Sequence, residues 1–75
     1  MQQVSIQFKT VEQVRAFVNM IDKFEVDFNL GSGRRVVDAK SIMGVFALDL
    51  TQPQILRYNS DDKSIYEKLK PFLTV

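Results

Sequence analysis

The chain has 75 residues, of which 45% are hydrophobic, and this length provides for one small domain around a single core. Ten basic and nine acidic residues leave a net charge of +1, which gives no electrostatic reason to expect a nucleic-acid or membrane partner. The sequence contains no histidine and no cysteine, which excludes imidazole chemistry, thiolate metal sites and disulfide bonds. With no signal-peptide pattern and no apolar run of membrane length, we expect a cytoplasmic protein formed by residues 1–75 as one domain.

The first part of the chain predicts a strand followed by a helix. Val4, Ile6 and Phe8 alternate with polar residues, which is typical of a strand with one buried face. Thr10 and Gln13 then form a capping box at the start of an amphipathic helix. The apolar face of this helix is expected to contain Val11, Val14, Phe17, Val18, Ile21 and Phe24, and its last turn Lys23.

A hairpin and a short helix follow. Val26, Phe28 and Leu30 alternate with polar residues in a second strand. Residues 31–33, Gly-Ser-Gly, predict the hairpin turn, and residues 34–39 the third strand. A short helix is expected from Ser41 to about Leu48.

The last part of the chain predicts one more strand and one more helix. Residues 56–58 continue the alternating pattern after Pro53, which cannot donate a hydrogen bond to a sheet. Residues 60–62, Ser-Asp-Asp, supply an N-cap for a helix that ends near Pro71. The apolar face of this helix contains Ile65, Leu69 and Phe72.

Four strands and three helices of these lengths predict a two-layer α/β sandwich, with a single sheet and all helices on one face. The opposite face of the sheet would be in contact with solvent. Its polar residues are Ser5, Gln7, Asp27, Asn29 and Arg57.

The element order and residues 40–45, Lys-Ser-Ile-Met-Gly-Val, together resemble the HPr family, the phosphocarriers of the bacterial sugar phosphotransferase system. The run is similar to the regulatory serine segment of HPr from Gram-positive bacteria. The resemblance extends back through the hairpin into the second strand and forward to Tyr58, roughly half of the chain. It implies an open-faced sandwich whose four-stranded antiparallel sheet has the order 1-4-2-3.

The start of the first helix departs from this family. In HPr, a histidine in a Gly-x-His-Ala-Arg-Pro loop accepts phosphate from phosphoenolpyruvate by way of the first enzyme of the relay. The corresponding residues 8–15, Phe-Lys-Thr-Val-Glu-Gln-Val-Arg, contain no histidine, glycine or proline. Phosphocarrier activity of the usual kind is therefore excluded. The pattern is similar to that of Crh-type homologues, which lack this histidine, keep the regulatory serine and assist a catabolite-control transcription factor.

Ser41 has two interpretations. The hydroxyl of a helix N-cap satisfies an otherwise unpaired backbone N–H, and this role alone explains a serine here. The resemblance implies in addition phosphorylation of Ser41 by HPr kinase, with the phosphate near the positive end of the helix dipole and screened by Lys40. The capping role is the simpler explanation.

Apolar residues surround this serine. Val45 and Leu48 are spaced to face the sheet, which leaves Ile42, Met43 and Phe46 partly exposed. The resemblance implies that these positions form a patch that docks partner proteins, a role that suits the adaptable side chain of methionine. A short helix that merely exposes a few apolar atoms is the alternative.

Lys9, Thr10 and Arg15 near the start of the first helix are candidates for a weak anion site. A helix cap with ordinary surface charges explains them better. Arg34 and Arg35 beside the hairpin turn either bind an anion or prevent edge-to-edge association of the sheet.

The sequence supports neither catalysis nor a cofactor. Asp61 and Asp62 lack a third ligand for a metal ion, and no nucleophile is paired with a base. We therefore expect a non-catalytic regulatory or adaptor protein that binds protein partners: HPr kinase, a catabolite-control transcription factor or phosphotransferase components. Two alternatives stay open: a phosphotransferase-related carrier with Thr10 as acceptor, and an HPr-like domain with no role in that system.

Overall fold

The computed structural model describes residues 1–74, and its elements occur in the predicted order. The chain forms β1 (Gln2–Ile6), α1 (Val11–Ile21), β2 (Phe28–Ser32), β3 (Arg35–Asp38), α2 (Ile42–Phe46), β4 (Gln54–Tyr58) and α3 (Lys63–Leu69), followed by a 3-10 turn (Lys70–Phe72). Within residues 1–74, no helix is long and apolar enough to cross a membrane.

The four strands form one antiparallel sheet with the order β1-β4-β2-β3, which confirms the predicted topology. One row of residues that crosses all four strands, Val4, Leu56, Leu30 and Val37, lies on the face covered by the helices. The next row, Gln3, Arg57, Asn29 and Asp38, lies on the open face because side chains alternate along a strand. This open polar face agrees with the open-faced sandwich.

Aromatic side chains join the two ends of the chain in the core. Phe8 lies just beyond β1, Phe17 in α1 and Phe72 in the 3-10 turn. Their rings meet edge to face in all three pairings, with centroid distances of 5.2, 6.0 and 5.6 Å. This geometry adds a specific attraction to the burial of three large side chains.

The first helix is shorter than the apolar periodicity predicts. It ends at Ile21, and Lys23 and Phe24 continue in tight turns that bond to the carbonyls of Met20 and Ile21. Lys23 therefore lies beyond the end of the helix, and the prediction that it belongs to the last helical turn is wrong. Val11 lies in the first turn and is 53% exposed, so it is not part of the buried face.

The hairpin turn is displaced from its predicted position. Gly31 and Ser32 belong to β2, and the connection consists of residues 33 and 34 alone. Gly33 has a φ of +60°, and it is the first of the two turn residues, where a hairpin of this length requires glycine. Gly31 therefore lies within β2, and glycine is needed there because a Cβ would overlap the backbone of β3.

Candidate functional site

Ser41 caps the N-terminus of α2. Its backbone is extended, with φ −93° and ψ 109°, and its Oγ accepts a hydrogen bond from the Gly44 N–H at 3.2 Å. The Val45 N–H donates to the Ser41 carbonyl at 3.0 Å and closes the first turn. The side chain is exposed, so its hydroxyl is accessible from solvent.

Lys40, which the sequence suggested as a screen for charge at Ser41, is engaged elsewhere. Its Nζ donates to the Phe24 carbonyl at 2.6 Å and lies 5.9 Å from the centre of the Phe28 ring. The side chain is half-buried. Its ammonium therefore ties the start of α2 to the loop after α1, and it would have to leave that carbonyl to approach a phosphate on Ser41.

Apolar side chains on α2 face solvent beside this cap. Met43 is 82% exposed, Phe46 43% and Ile42 37%, whereas Val45 and Leu48 are buried. This is the division that the spacing of the residues predicts. We call Ile42, Met43 and Phe46 the α2 patch.

The α2 patch continues into a cleft of about 320 Å³ between the start of α1 and the end of α2. The cleft is lined by Phe8, Lys9, Thr10, Val11, Val14, Phe46, Leu50 and Thr51. Its walls are mainly apolar, with the two threonines and Lys9 as the polar exceptions. Of the three residues considered for an anion site, Lys9 and Thr10 line the cleft and Arg15 does not.

A capping box closes the start of α1. The Thr10 Oγ1 accepts from the Gln13 N–H at 3.1 Å, and the Gln13 Oε1 accepts in return from the Lys9 N–H at 2.6 Å. The return bond thus goes to the residue before the cap and not to the cap itself. Glu12 adds a negative charge in the first turn. This arrangement disfavours an anion.

A buried polar residue that the sequence analysis missed holds the far wall of the cleft. Gln54 is only 2% exposed, and its Nε2 donates to the carbonyls of Asp49 and Gln52 at 2.8 and 3.3 Å. These bonds fix the loop that carries Leu50 and Thr51. The sequence did contain a signal for this role. Gln54 precedes Leu56 by two residues, and side chains two apart in a strand lie on the same face, so Gln54 is on the core face of β4.

The other charged candidates are explained by local structure. Asp62 caps α3: its Oδ1 accepts from the N–H and the hydroxyl of Ser64 at 2.9 and 2.7 Å. The hydroxyl bond, followed by the backbone bond, lowers the pKa of Asp62 below its ordinary value. Arg34 and Arg35 are exposed at the hairpin. In the described part of the chain, no group of three or more metal-binding side chains occurs.

Comparisons with known proteins agree with this architecture. The family model described as "PTS HPr component phosphorylation site" matches residues 11–73. HPr-C-His from Thermoanaerobacter tengcongensis is 26% identical, with a TM-score of 0.78 over 95% of this chain and 89% of that one. The phosphocarrier protein HPr from Bacillus anthracis str. Ames is 22% identical and similar in fold, with a TM-score of 0.71 over 97% and 94% of the two chains. No curated protein matches the sequence.

Proposed function

The chain belongs to the HPr family, whose model matches residues 11–73, and we propose that it is a regulatory or adaptor member that acts through protein contacts. Members of this family are phosphocarriers of the phosphotransferase system and not classical enzymes. The absence of histidine from the sequence carries the proposal, because without this residue the phosphohistidine of the usual phosphocarriers cannot form. In this respect the chain is similar to the Crh-type homologues. We place its action in the cytoplasm, with phosphotransferase components among its partners.

Ser41 is the residue that we propose as the regulatory site. Its hydroxyl is exposed, and within residues 1–74 it takes part in one hydrogen bond, which it accepts from the Gly44 N–H. A phosphate on this oxygen would stay at the positive end of α2, where a negative charge is stabilised. Phosphorylation by HPr kinase would therefore add charge without dismantling the start of the helix.

The α2 patch is the surface that we propose for docking. Three exposed apolar side chains lie on the helix that Ser41 caps, and the cleft extends this surface to α1. A charge added at Ser41 lies next to Ile42 and Met43 and changes which partner surface is complementary. A catabolite-control transcription factor is the partner class that the Crh-like pattern favours.

Phosphorylation can be tested by incubation of the purified chain with a Gram-positive HPr kinase and ATP, followed by intact mass measurement. We expect one added phosphate, which the Ser41→Ala variant does not take up. Ser64→Ala is the matched control, because Ser64 is also an exposed serine at a helix start, and this variant should be modified normally. Unmodified wild-type chain, or equal modification of Ser41→Ala, would reject the site.

Docking requires a separate test, since the surface can function without the phosphate. Met43→Glu places a charge in the α2 patch, and Tyr66→Glu places the same charge on α3, where Tyr66 is 45% exposed. Binding to a catabolite-control transcription factor should be lost in the first variant and kept in the second. Equal binding by both variants would remove the α2 patch from the mechanism.

The second candidate, a carrier with Thr10 as acceptor, has less support. The Thr10 hydroxyl is part of the capping box of α1, and a threonine phosphate ester is too stable to pass its phosphate on readily. We expect no label to transfer from phosphoenolpyruvate through the first enzyme of the relay. Labelled chain in this assay would reverse the order of the two candidates.

A further inference from the structure

The outer edge of β3 is an open strand edge. β3 has only β2 as a neighbour in the sheet. The Ala39 N–H donates to the Phe28 carbonyl, and in an antiparallel ladder the bonded residues alternate with residues whose backbone points away. Val36 and Asp38 therefore direct their N–H groups outward. By the same alternation, the pair Gly31–Val36 is a non-hydrogen-bonded pair, so the Val36 N–H takes no part in the ladder to β2.

The opposite edge of the sheet is partly covered. The end of β1 is bridged by the segment after α3, through an Ile6–Leu73 pairing and a bond from the Thr74 N–H to the Ser5 carbonyl. Among residues 1–74, the edge of β3 is covered only at its end, where the Asp38 carbonyl accepts from the Ser41 N–H at 3.0 Å. An open edge that carries an exposed apolar residue is a place where another strand can pair.

We propose that this edge pairs with the same edge of a second copy of the chain, with Val36 of one copy opposite Val36 of the other. A two-fold axis perpendicular to the sheet relates two antiparallel edge strands, so each residue faces a residue on its own side of the sheet. Continued one residue beyond β3 into the hairpin turn, this register brings Arg34 opposite Asp38 of the second copy, and Asp38 opposite the second Arg34. The sequence of this edge is therefore complementary to itself.

Three observations on this edge favour that register. Val36 is 49% exposed on the open face, and pairing covers it with its own copy. Arg34 and Asp38 are both exposed, so their charges are available for two symmetric ion pairs. The Asp38 carboxylate is also held in place, because its Oδ1 accepts from the Lys40 N–H at 3.0 Å. A register centred on Val37 would instead place Val36 opposite Asp38 and lose both ion pairs.

The same charges exclude competing arrangements. If the edge paired in parallel and in register, Arg34 would face Arg34 and Asp38 would face Asp38, which is unfavourable. Arg34 therefore does more than prevent association, which is the role that charges on an edge strand often have. The charges of Arg34 and Asp38 favour the antiparallel register centred on Val36 and oppose the parallel one.

The expected dimer is weak and has a defined architecture. Two strands of four residues bury far less than the roughly 1,600 Å² of a standard interface, so we expect a dissociation constant between about 0.1 and about 1 mM. A continuous sheet of eight strands results. The axis keeps the helices of both copies on one side, so the two Ser41 caps also lie on that side. The inference does not depend on the phosphorylation of Ser41.

Sedimentation equilibrium and amide NMR spectra of the full chain, measured from about 0.05 to about 2 mM, test the proposal. We expect the mass to rise toward that of a dimer, with shifts concentrated in residues 34–38. Arg34→Asp should weaken association at least tenfold, because it places like charges opposite each other. Arg15→Asp makes the same charge change on α1 and should associate as the wild type does. Circular dichroism confirms that both variants are folded.

Three results would overturn the inference. One is a monomer over the whole concentration range. Another is association of Arg34→Asp with the affinity of Arg15→Asp. The third is a set of concentration-dependent shifts that fall on the free part of β1 or on the α2 patch instead of β3.

Discussion

Replacement of Gly31 by alanine places a methyl group where the neighbouring strand already lies. A Cβ at this position would overlap the Arg35 carbonyl oxygen and come within 2.8 Å of the Val36 Cα. Both atoms belong to the backbone of β3, so no side-chain rotation can relieve the overlap. β2 and β3 must separate, at the centre of the hairpin that sets the edge of the sheet.

The cost follows from this geometry. Overpacking of a well-packed site costs about 1–3 kcal/mol when side chains can adjust, and a backbone shift belongs at the upper end, so we expect about 3 kcal/mol. A chain of 75 residues has a total stability of about 4–11 kcal/mol. The melting temperature should therefore fall by about 12–24 °C, at about 4–8 °C per kcal/mol.

Chemical denaturation of Gly31→Ala and Gly44→Ala side by side measures this effect. Gly44 lies within α2, and a Cβ there would meet the Ser41 Oγ and the Val37 Cβ at 3.4 Å, which is ordinary contact. Since alanine also favours a helix over glycine by about 1 kcal/mol, this control should be neutral or slightly stabilising. If the free energy of unfolding of Gly31→Ala lies within about 0.5 kcal/mol of the wild-type value, the two strands do not approach each other this closely.

Three further outcomes are expected. Ser41→Ala removes the bond to Gly44 and should lower the free energy of unfolding by about 1 kcal/mol in urea titrations, whereas Ser41→Asp, which keeps a cap, should stay close to wild type. Phe17→Ala removes a fully buried ring and should cost about 3–5 kcal/mol; a smaller loss would mean that the aromatic cluster is loosely packed. The pKa of Asp62 is lowered on folding, so the native state binds fewer protons there. Its contribution is present above the pKa of the unfolded state and is lost as the pH falls through the lower folded pKa, in the acid range below about 4. Measured as the free energy of unfolding against pH, Asp62→Asn should therefore flatten the acid side of the stability profile.

The fold was predictable from the sequence because period-two and helical patterns alternate without ambiguity and each helix begins at a polar cap. The order of the strands came from the resemblance carried by residues 40–45, since periodicity alone does not determine which strands are neighbours. The limits of the elements were less predictable. The apolar spacing continues past Ile21 to Phe24, although the chain there forms tight turns, so the spacing predicts a helix that is too long.

The exposed and buried sides of α2 were also predictable, since they follow from helical spacing alone. The roles of Lys40 and Gln54 were not, because both depend on contacts between distant segments. The Lys40 ammonium donates to a carbonyl 16 residues away in the sequence, and a lysine at this position does not by itself predict that contact. Gln54 supports the loop beside the cleft from inside the core. A polar residue on the core face of a strand was the only signal.

The starts of α1 and α2 use the same capping device, but they differ in what they leave available. At α1 the third helical residue is Gln13, whose side chain returns a bond and closes the box, with Glu12 adding negative charge. At α2 the third residue is Gly44, which has no side chain to return. A phosphate on Ser41 would therefore disturb one hydrogen bond, whereas a phosphate on Thr10 would disturb two and meet a carboxylate. This difference in local chemistry makes Ser41 a better position for a phosphate than Thr10, and the comparison of the two positions does not depend on the resemblance to the HPr family.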